Sequence, residues 1–232
     1  MTAGVVLAHG AFHGPWCWER VQGCLEDMGI AVHASDLCRP TTAEDIAAFQ
    51  ADVNAMRDQV GDNGPVVAVG HSLGGLSISG LDSATVDHLV YLAAILAADE
   101  SGEANPPDVA EAVIAENFFP ALEHGEDGYS SVKQGAAGDL FYHDCSAEDI
   151  AWAESQLRPQ PLGQAPYAFG RAAWRDVEST YIVCADDRTL TADFQQTCAG
   201  LVAHSVVMEG SHSPMLAQPE AVAAVIARAA GQ

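Results

Sequence analysis

Gly70-His71-Ser72-Leu73-Gly74 places one hydroxyl between two glycines, in the spacing G-x-S-x-G. A serine hydroxyl is a weak nucleophile unless a base takes its proton and a third group orients that base. The chemistry on offer is therefore acyl transfer at Ser72, provided the fold brings a histidine and a carboxylate to it. The pattern is short, and a serine capping a helix in a glycine-rich turn produces it too. Its surroundings give it weight. The apolar run Val66-Val67-Ala68-Val69 precedes it and a stretch of small residues follows. A turn that sharp forces its central residue into strained backbone, and glycines on either side remove clashing Cβ atoms. The hydroxyl then projects at a helix N-terminus, which favours developing negative charge.

The base expected is His212, in Glu209-Gly210-Ser211-His212-Ser213-Pro214, just after the last expected strand. That loop lies at the carboxyl edge of the sheet, the same edge as Ser72. His71 sits inside the elbow, His88 and His204 sit at strand starts, and His124 and His143 fall in a later insertion. The acid should follow the preceding strand, where Tyr181-Ile182-Val183-Cys184-Ala185 runs into Asp186-Asp187-Arg188. Either aspartate could hold the imidazole tautomer and stabilise the imidazolium; geometry alone does not choose. Asp186 has a competing use as a local partner of Arg188. An oxyanion needs two preorganised N–H donors. Leu73, after the nucleophile, offers one. The loop His9-Gly10-Ala11-Phe12 offers the other, and Ala11 N–H is the expected donor because Gly10 allows close approach. His9, His13 and Cys17 are spaced four apart, but zinc needs three or four converging, supported ligands. No metal is expected, and His13 is expected to plug the loop.

The elements that must position these groups alternate. Strands are expected over 4–8, 30–34, 66–70 and 88–94. Helices are expected over 15–28, with Pro15 opening and Gly29 stopping, over 42–60, and from 72 to about 81. Strand–helix pairs resume at 179–185 and 191–199, then 204–208 and 219–230. Such alternation implies a mostly parallel sheet flanked by helices, an α/β fold. Residues 99–160 break the pattern. They hold 14 acidic and two basic residues, with Pro106, Pro107, Pro120 and Pro159. Short helices are expected there, over 109–116, 118–122 and 147–156. This is a small helical cap inserted into one domain, whose core comprises 1–98 and 161–232.

The totals narrow the classes. The chain has 232 residues, enough for one domain, with 49% apolar and 18% charged residues, which argues against disorder. With 9 basic and 32 acidic residues, the net charge is −23, and Lys133 is the only lysine. Nothing could neutralise phosphates, so neither nucleic acid nor anionic membrane is an expected partner. The acidity reads as a solvated surface, with salt adaptation as the alternative. No apolar run is long enough to span a bilayer. The first residues read as a core strand and lack the charged start of a signal peptide, so a cytoplasmic location is expected. Six scattered cysteines without a C-x-x-C pair are expected to be free thiols.

Several stretches resemble the plant methylesterase and hydroxynitrile lyase group, with its salicylate-binding methylesterases and bacterial esterase relatives, within the α/β-hydrolase superfamily. They are Val6 to Trp18, Gly70 to Gly75, Cys145 to Asp149 with Leu157-Arg158-Pro159, Tyr181 to Arg188 with Phe194-Gln195, and Gly210 to Leu216. The resemblance implies an α/β-hydrolase fold and a triad of Ser72, Asp187 and His212, with Ala11 and Leu73 as oxyanion donors. It thereby selects the second aspartate. Hydroxynitrile lyases of the group usually carry threonine where this chain has Gly10, and lysine directly after the histidine. Here Ser213 follows His212. Both departures favour ester hydrolysis. The segment 160–177 is shorter than the group implies, which affects the pocket's far wall.

The expectation is a serine carboxylic-ester hydrolase working through an acyl-enzyme on a small, neutral, apolar ester or lactone. It needs no cofactor, and its partners are that substrate and, in one alternative, a second copy as a homodimer. Phe12, Trp16, Phe118, Phe119, Phe141, Tyr142 and Trp152 are candidates to line the pocket, and core packing is the competing use for each. Two rival functions stand beside it. One is a lyase for cyanohydrins or a related carbon–carbon cleavage; the other is a ligand-binding protein that keeps the fold without turnover.

Overall fold

The computed structural model describes residues 2–61, 64–108, 112, 115–126, 128–162 and 168–232. Its centre is a six-stranded sheet of β1 (Gly4–Ala8), β2 (Ala31–Ser35), β3 (Val66–His71), β4 (His88–Leu92), β10 (Ser179–Cys184) and β11 (His204–Met208). Their order is β11-β10-β4-β3-β1-β2, and every pairing is parallel. Helices cover both faces of the inner strands, so β1, β3, β4 and β10 are buried at every position, whereas the edge strands β2 and β11 carry exposed polar residues such as His33 and His204. Side chains alternate between two cores. Val5, Leu7, Val67, Val69, Val90, Leu92 and Ile182 enter one. Val6, Ala8, Val66, Ala68, Leu89, Tyr91 and Tyr181 enter the other.

Helices α1 (Glu19–Asp27) and α9 (Pro219–Ala229) bury Val21, Leu25, Val222 and Ile226 on the first face. Helices α2 (Thr42–Val60), α3 (Gly74–Ser79) and α7 (Ala192–Ala199) cover the second with Phe49, Val53, Ile78 and Phe194. Helix α2 has the expected bounds because both ends are signalled locally. Thr41 and Glu44 form a reciprocal capping box, and Gly61 follows at φ 71°. The expected helix over 15–28 is split into a 3₁₀ turn, Pro15–Trp18, and α1. The helix expected from residue 72 is shorter, because Ser72 belongs to the turn and the helix stops at Ser79.

The insertion departs most from expectation. Beyond a short pairing of β5 (Ala98–Asp99) with β9 (Ala168–Phe169), it contains an antiparallel sheet. That sheet comprises β6 (Leu122–His124), β7 (Tyr129–Val132) and β8 (Gln160–Pro161). The helix expected over 118–122 is instead the end of α4 (Ala115–Phe118), a 3₁₀ turn and the start of β6. Proline at 120 removes a helix donor and favours this break. The helix expected over 109–116 lies partly outside the described residues. Helix α6 (Ala147–Gln156) has the expected bounds, with Ser146 accepting from Asp149 N–H at its cap. The boundary expected at 160 falls inside β8. Among the described residues no helix is long and apolar enough to cross a membrane. All six cysteines are free.

Candidate active site

Strand order decides where the site lies. The chain enters at β1, moves outward to β2, then returns to pair β3 on the other side of β1. Such a switch point opens a crevice at the carboxyl ends of the strands. Ala8 is paired with Gly70, so the loops leaving β1 and β3 emerge side by side. Gly10 is the point of contact. A Cβ there would stand 2.8 Å from Ser72 Cβ and 2.8 Å from His71 Nδ1.

Ser72 has φ 51°, a left-handed conformation that is costly for a residue with a Cβ. It is held there by its own backbone: its N–H donates to Leu92 O (3.2 Å), and its carbonyl accepts from Gly75 N–H (3.1 Å) and Ile95 N–H (2.9 Å). Gly74 is required by the crossing of the β1 loop, since a Cβ there would meet Ala8 O and His9 O at 2.7 Å. Ser72, Leu73 and Ala11 are half-buried. The Ala11 and Leu73 N–H groups donate to no group among the described residues.

His212 and Asp187 are buried beneath. His212 Nδ1 donates to Asp187 Oδ2 at 2.7 Å, which in the neutral ring leaves Nε2 as a bare acceptor. Asp187 is firmly seated. Its Oδ1 accepts from Thr189 N–H (2.7 Å) and Leu190 N–H (3.0 Å), and its Oδ2 also accepts from Gln195 Nε2 (2.9 Å). Asp186 is not near the imidazole by any bond; its carbonyl accepts from His143 Nε2 at 2.9 Å. Arg188 pairs with Asp139 rather than with Asp186.

His71 ties the elbow to the histidine loop. Its Nε2 donates to His212 O at 2.8 Å, and the two rings lie 4.7 Å apart. Burial drives its pKa well below 6.5, so the ring is neutral and Nδ1 is an unpartnered acceptor facing Gly10. His13 and His9 are likewise neutral, pushed by burial to about 3 and about 4. His13 Nδ1 donates to Ala11 O (2.7 Å), and its Nε2 accepts from Tyr142 Oη (2.7 Å). His9 Nδ1 donates to Gly10 O (2.8 Å), and its Nε2 accepts from Leu37 N–H (3.0 Å). Both rings are thus committed to structure, so neither turns a nitrogen toward Cys17 as the metal alternative requires.

The candidate aromatics separate. Phe12, Phe141 and Tyr142 are buried and Phe118 is half-buried. Phe12 lies 6.3 Å from Phe118, and Phe141 lies 5.8 Å from His212. Phe119 and Trp152 are 57% and 37% exposed. Trp152 meets Trp16 edge-on at 5.3 Å, in an outer recess shared with Arg20 and Asp149. Tryptophan and phenylalanine at helix spacing do not reveal which face looks outward when the partner surface is unknown.

Two contributors escaped sequence reasoning. Gln195 is fully buried and bridges Cys184 N–H and Asp187. Its signal was a polar residue on the apolar face shared with Phe194 and Cys198. Asp144 accepts from Ser211 N–H at 2.9 Å and so steadies the His212 loop from the cap. Nothing local marks it.

The profile of the Alpha/beta hydrolase family matches residues 5–225. Salicylic acid-binding protein 2 of Nicotiana tabacum is 29% identical over 245 residues, covering 94% of both chains. Methylesterase 3 of Arabidopsis thaliana is 25% identical over 246 residues, covering 96% of this chain and 94% of its own. A crystal structure of an Arabidopsis methylesterase superposes with a TM-score of 0.75 at 20% identity, covering 99% of both chains.

Proposed function

The chain belongs to the alpha/beta hydrolase family, and on that premise we propose that it is a carboxylic-ester hydrolase with Ser72 as nucleophile. His212 Nε2 takes the hydroxyl proton as Ser72 Oγ attacks the ester carbonyl. Asp187 holds the tautomer and stabilises the imidazolium. The oxyanion accepts hydrogen bonds from Ala11 and Leu73 N–H, which donate to no group among the described residues. Collapse expels the alkoxide, which takes the proton from His212 and leaves as the alcohol. Water then gives its proton to His212 and attacks the acyl-enzyme, releasing the carboxylate and restoring Ser72. The step sequence draws only on this chain's own groups.

The observation that carries the reading is the 2.7 Å bond from His212 to Asp187, in a loop fastened to the serine elbow through His71. The methylesterase relative supports an ester as substrate class. The apolar character of Phe12, Phe118 and Phe141 near His212 supports a small, neutral, apolar ester or lactone as the substrate. The acidic insertion favours departure of a carboxylate product, an effect that salt screens. Lyase chemistry lacks its cation, since Ser213 stands after His212.

The test measures hydrolysis of p-nitrophenyl acetate beside cyanide release from mandelonitrile, with a fluorophosphonate probe on the folded protein. Ester hydrolysis and labelling at Ser72 are the expected results. Cyanide release without hydrolysis would overturn the reading in favour of a lyase. An unlabelled Ser72 in protein that still binds salicylate would favour a binding protein.

A further inference from the structure

Loop 9–13 presents the Ala11 N–H, yet much of what holds it comes from the other end of the insertion. Arg158 follows helix α6, and its backbone N–H donates to Phe12 O at 2.9 Å. Its Nε donates to His13 O at 2.9 Å. Its Nη2 reaches His9 Nε2 (3.2 Å) and Leu37 O (3.1 Å) and pairs with Asp36. Phe12 is itself at φ 67°, a conformation that a bulky residue keeps only when its surroundings over-determine it. His9 completes the chain. Because Leu37 N–H donates to its Nε2, the proton sits on Nδ1 and points at Gly10 O. Gly10 C=O and Ala11 N–H are two ends of one peptide. A bond pulling on the oxygen orients that plane and polarises its N–H.

We propose that Arg158 is a positioning residue for ester hydrolysis, which sets the Ala11 oxyanion donor through Phe12 O, His13 O and the His9 ring. The assignment rests on the ester-hydrolase reading. Its readout is the transition state, because a misdirected N–H is felt where the oxyanion forms and much less in the bound ester.

The experiment compares the wild-type protein with Arg158→Gln, Arg158→Lys and Asp36→Asn on p-nitrophenyl acetate. A trifluoromethyl ketone serves as the transition-state mimic. Arg158→Gln is expected to lose roughly tenfold to a hundredfold in kcat, less than removal of a whole oxyanion donor, with KM within about twofold. Affinity for the trifluoromethyl ketone should fall in step with kcat. Arg158→Lys should lie between, since one ammonium cannot reproduce the planar fork. Asp36→Asn weakens an exposed ion pair with Arg158 and a 4.0 Å approach to His9, but leaves the guanidinium bonds to His13 O and Leu37 O in place, so it should stay within about threefold of wild type. Folding is checked by circular dichroism; if Arg158→Gln does not fold, the lysine variant decides. Unchanged kcat in a folded Arg158 variant, a change in KM alone, or an equal loss in Asp36→Asn overturns the assignment. A wild-type protein that hydrolyses no ester sinks the esterase reading instead, so the two failures are distinct.

Discussion

Gly10 and Ser72 approach so closely that a methyl group on the first would stand 2.8 Å from the Cβ of the second. The two residues are 62 positions apart in the sequence and meet because β1 and β3 are neighbours in register. The contact couples the loop proposed to hold the oxyanion to the proposed nucleophile, and it makes Gly10 a sensitive position. Gly10→Ala must displace either the loop or the elbow by several tenths of an ångström. The expected outcome is a folded protein with kcat reduced by about tenfold or more, because oxyanion donors act at a fixed distance. Steady-state kinetics beside circular dichroism checks this; wild-type kcat in the variant would show that the crowding is harmless.

Ser72 stores backbone strain at φ 51°. Glycine adopts that conformation without a Cβ penalty, whereas alanine does not. Both Ser72→Gly and Ser72→Ala are expected to abolish hydrolysis. Between them, Ser72→Gly should be the more stable by about 1 kcal/mol. Urea titration of the two inactive variants measures the difference directly, and a more stable alanine variant would contradict strain at the elbow.

Asp187→Asn should be far more damaging than Asp186→Asn. The carboxylate at 187 accepts four hydrogen bonds, including the one from His212. An amide in its place turns a donor toward one of those donors and favours the wrong imidazole tautomer. A loss on the order of 10³- to 10⁴-fold in kcat is expected, by the logic of the serine-protease aspartate. Asp186 contributes its backbone to this region, so Asp186→Asn should remain within about threefold of wild type. Comparable losses in the two variants would refute the distinction.

Burial lowers the pKa of four histidines, His88 among them, and the three that cluster at the elbow make native stability acid-sensitive. Burial lowers His9 to about 4, His13 to about 3 and His71 well below 6.5. In the unfolded chain each regains its ordinary value. Between pH 6.5 and about 4 the unfolded state therefore binds protons that the native state refuses. Their contribution is full above pH 6.5 and is lost as pH falls toward the lowered values. At the steepest point three protons correspond to about 4 kcal/mol per pH unit. Urea unfolding at pH 7.5, 6 and 5 should show a falling free energy. His13→Gln, which bonds but does not titrate, should flatten the slope by about 1.4 kcal/mol per unit. A pH-independent midpoint would argue that these rings are solvated.

The amino-acid sequence by itself determined what local rules encode. The strand-elbow-helix at Ser72, the capped helix Thr42–Val60 and the alternation behind a parallel sheet are all written within windows of a few residues. Hydrophobic period, caps and turn glycines suffice for these, because the energies that decide them are contributed by neighbours in the chain. The tertiary structure decided the rest. Strand-loop spacing left Asp186 and Asp187 equal, and resemblance alone chose between them; the fold puts Asp187 Oδ2 against His212 Nδ1. The antiparallel sheet of the insertion was unreadable because its short strands are paired with partners rather than driven by their own pattern. Arg158 and Gln195 stood only within stretches that carry the resemblance, with no role of their own, and nothing in the sequence marked Asp144. Each is defined by carbonyls, amides or carboxylates brought from distant segments, and hydrogen bonds across such separations leave no periodic trace in a sequence.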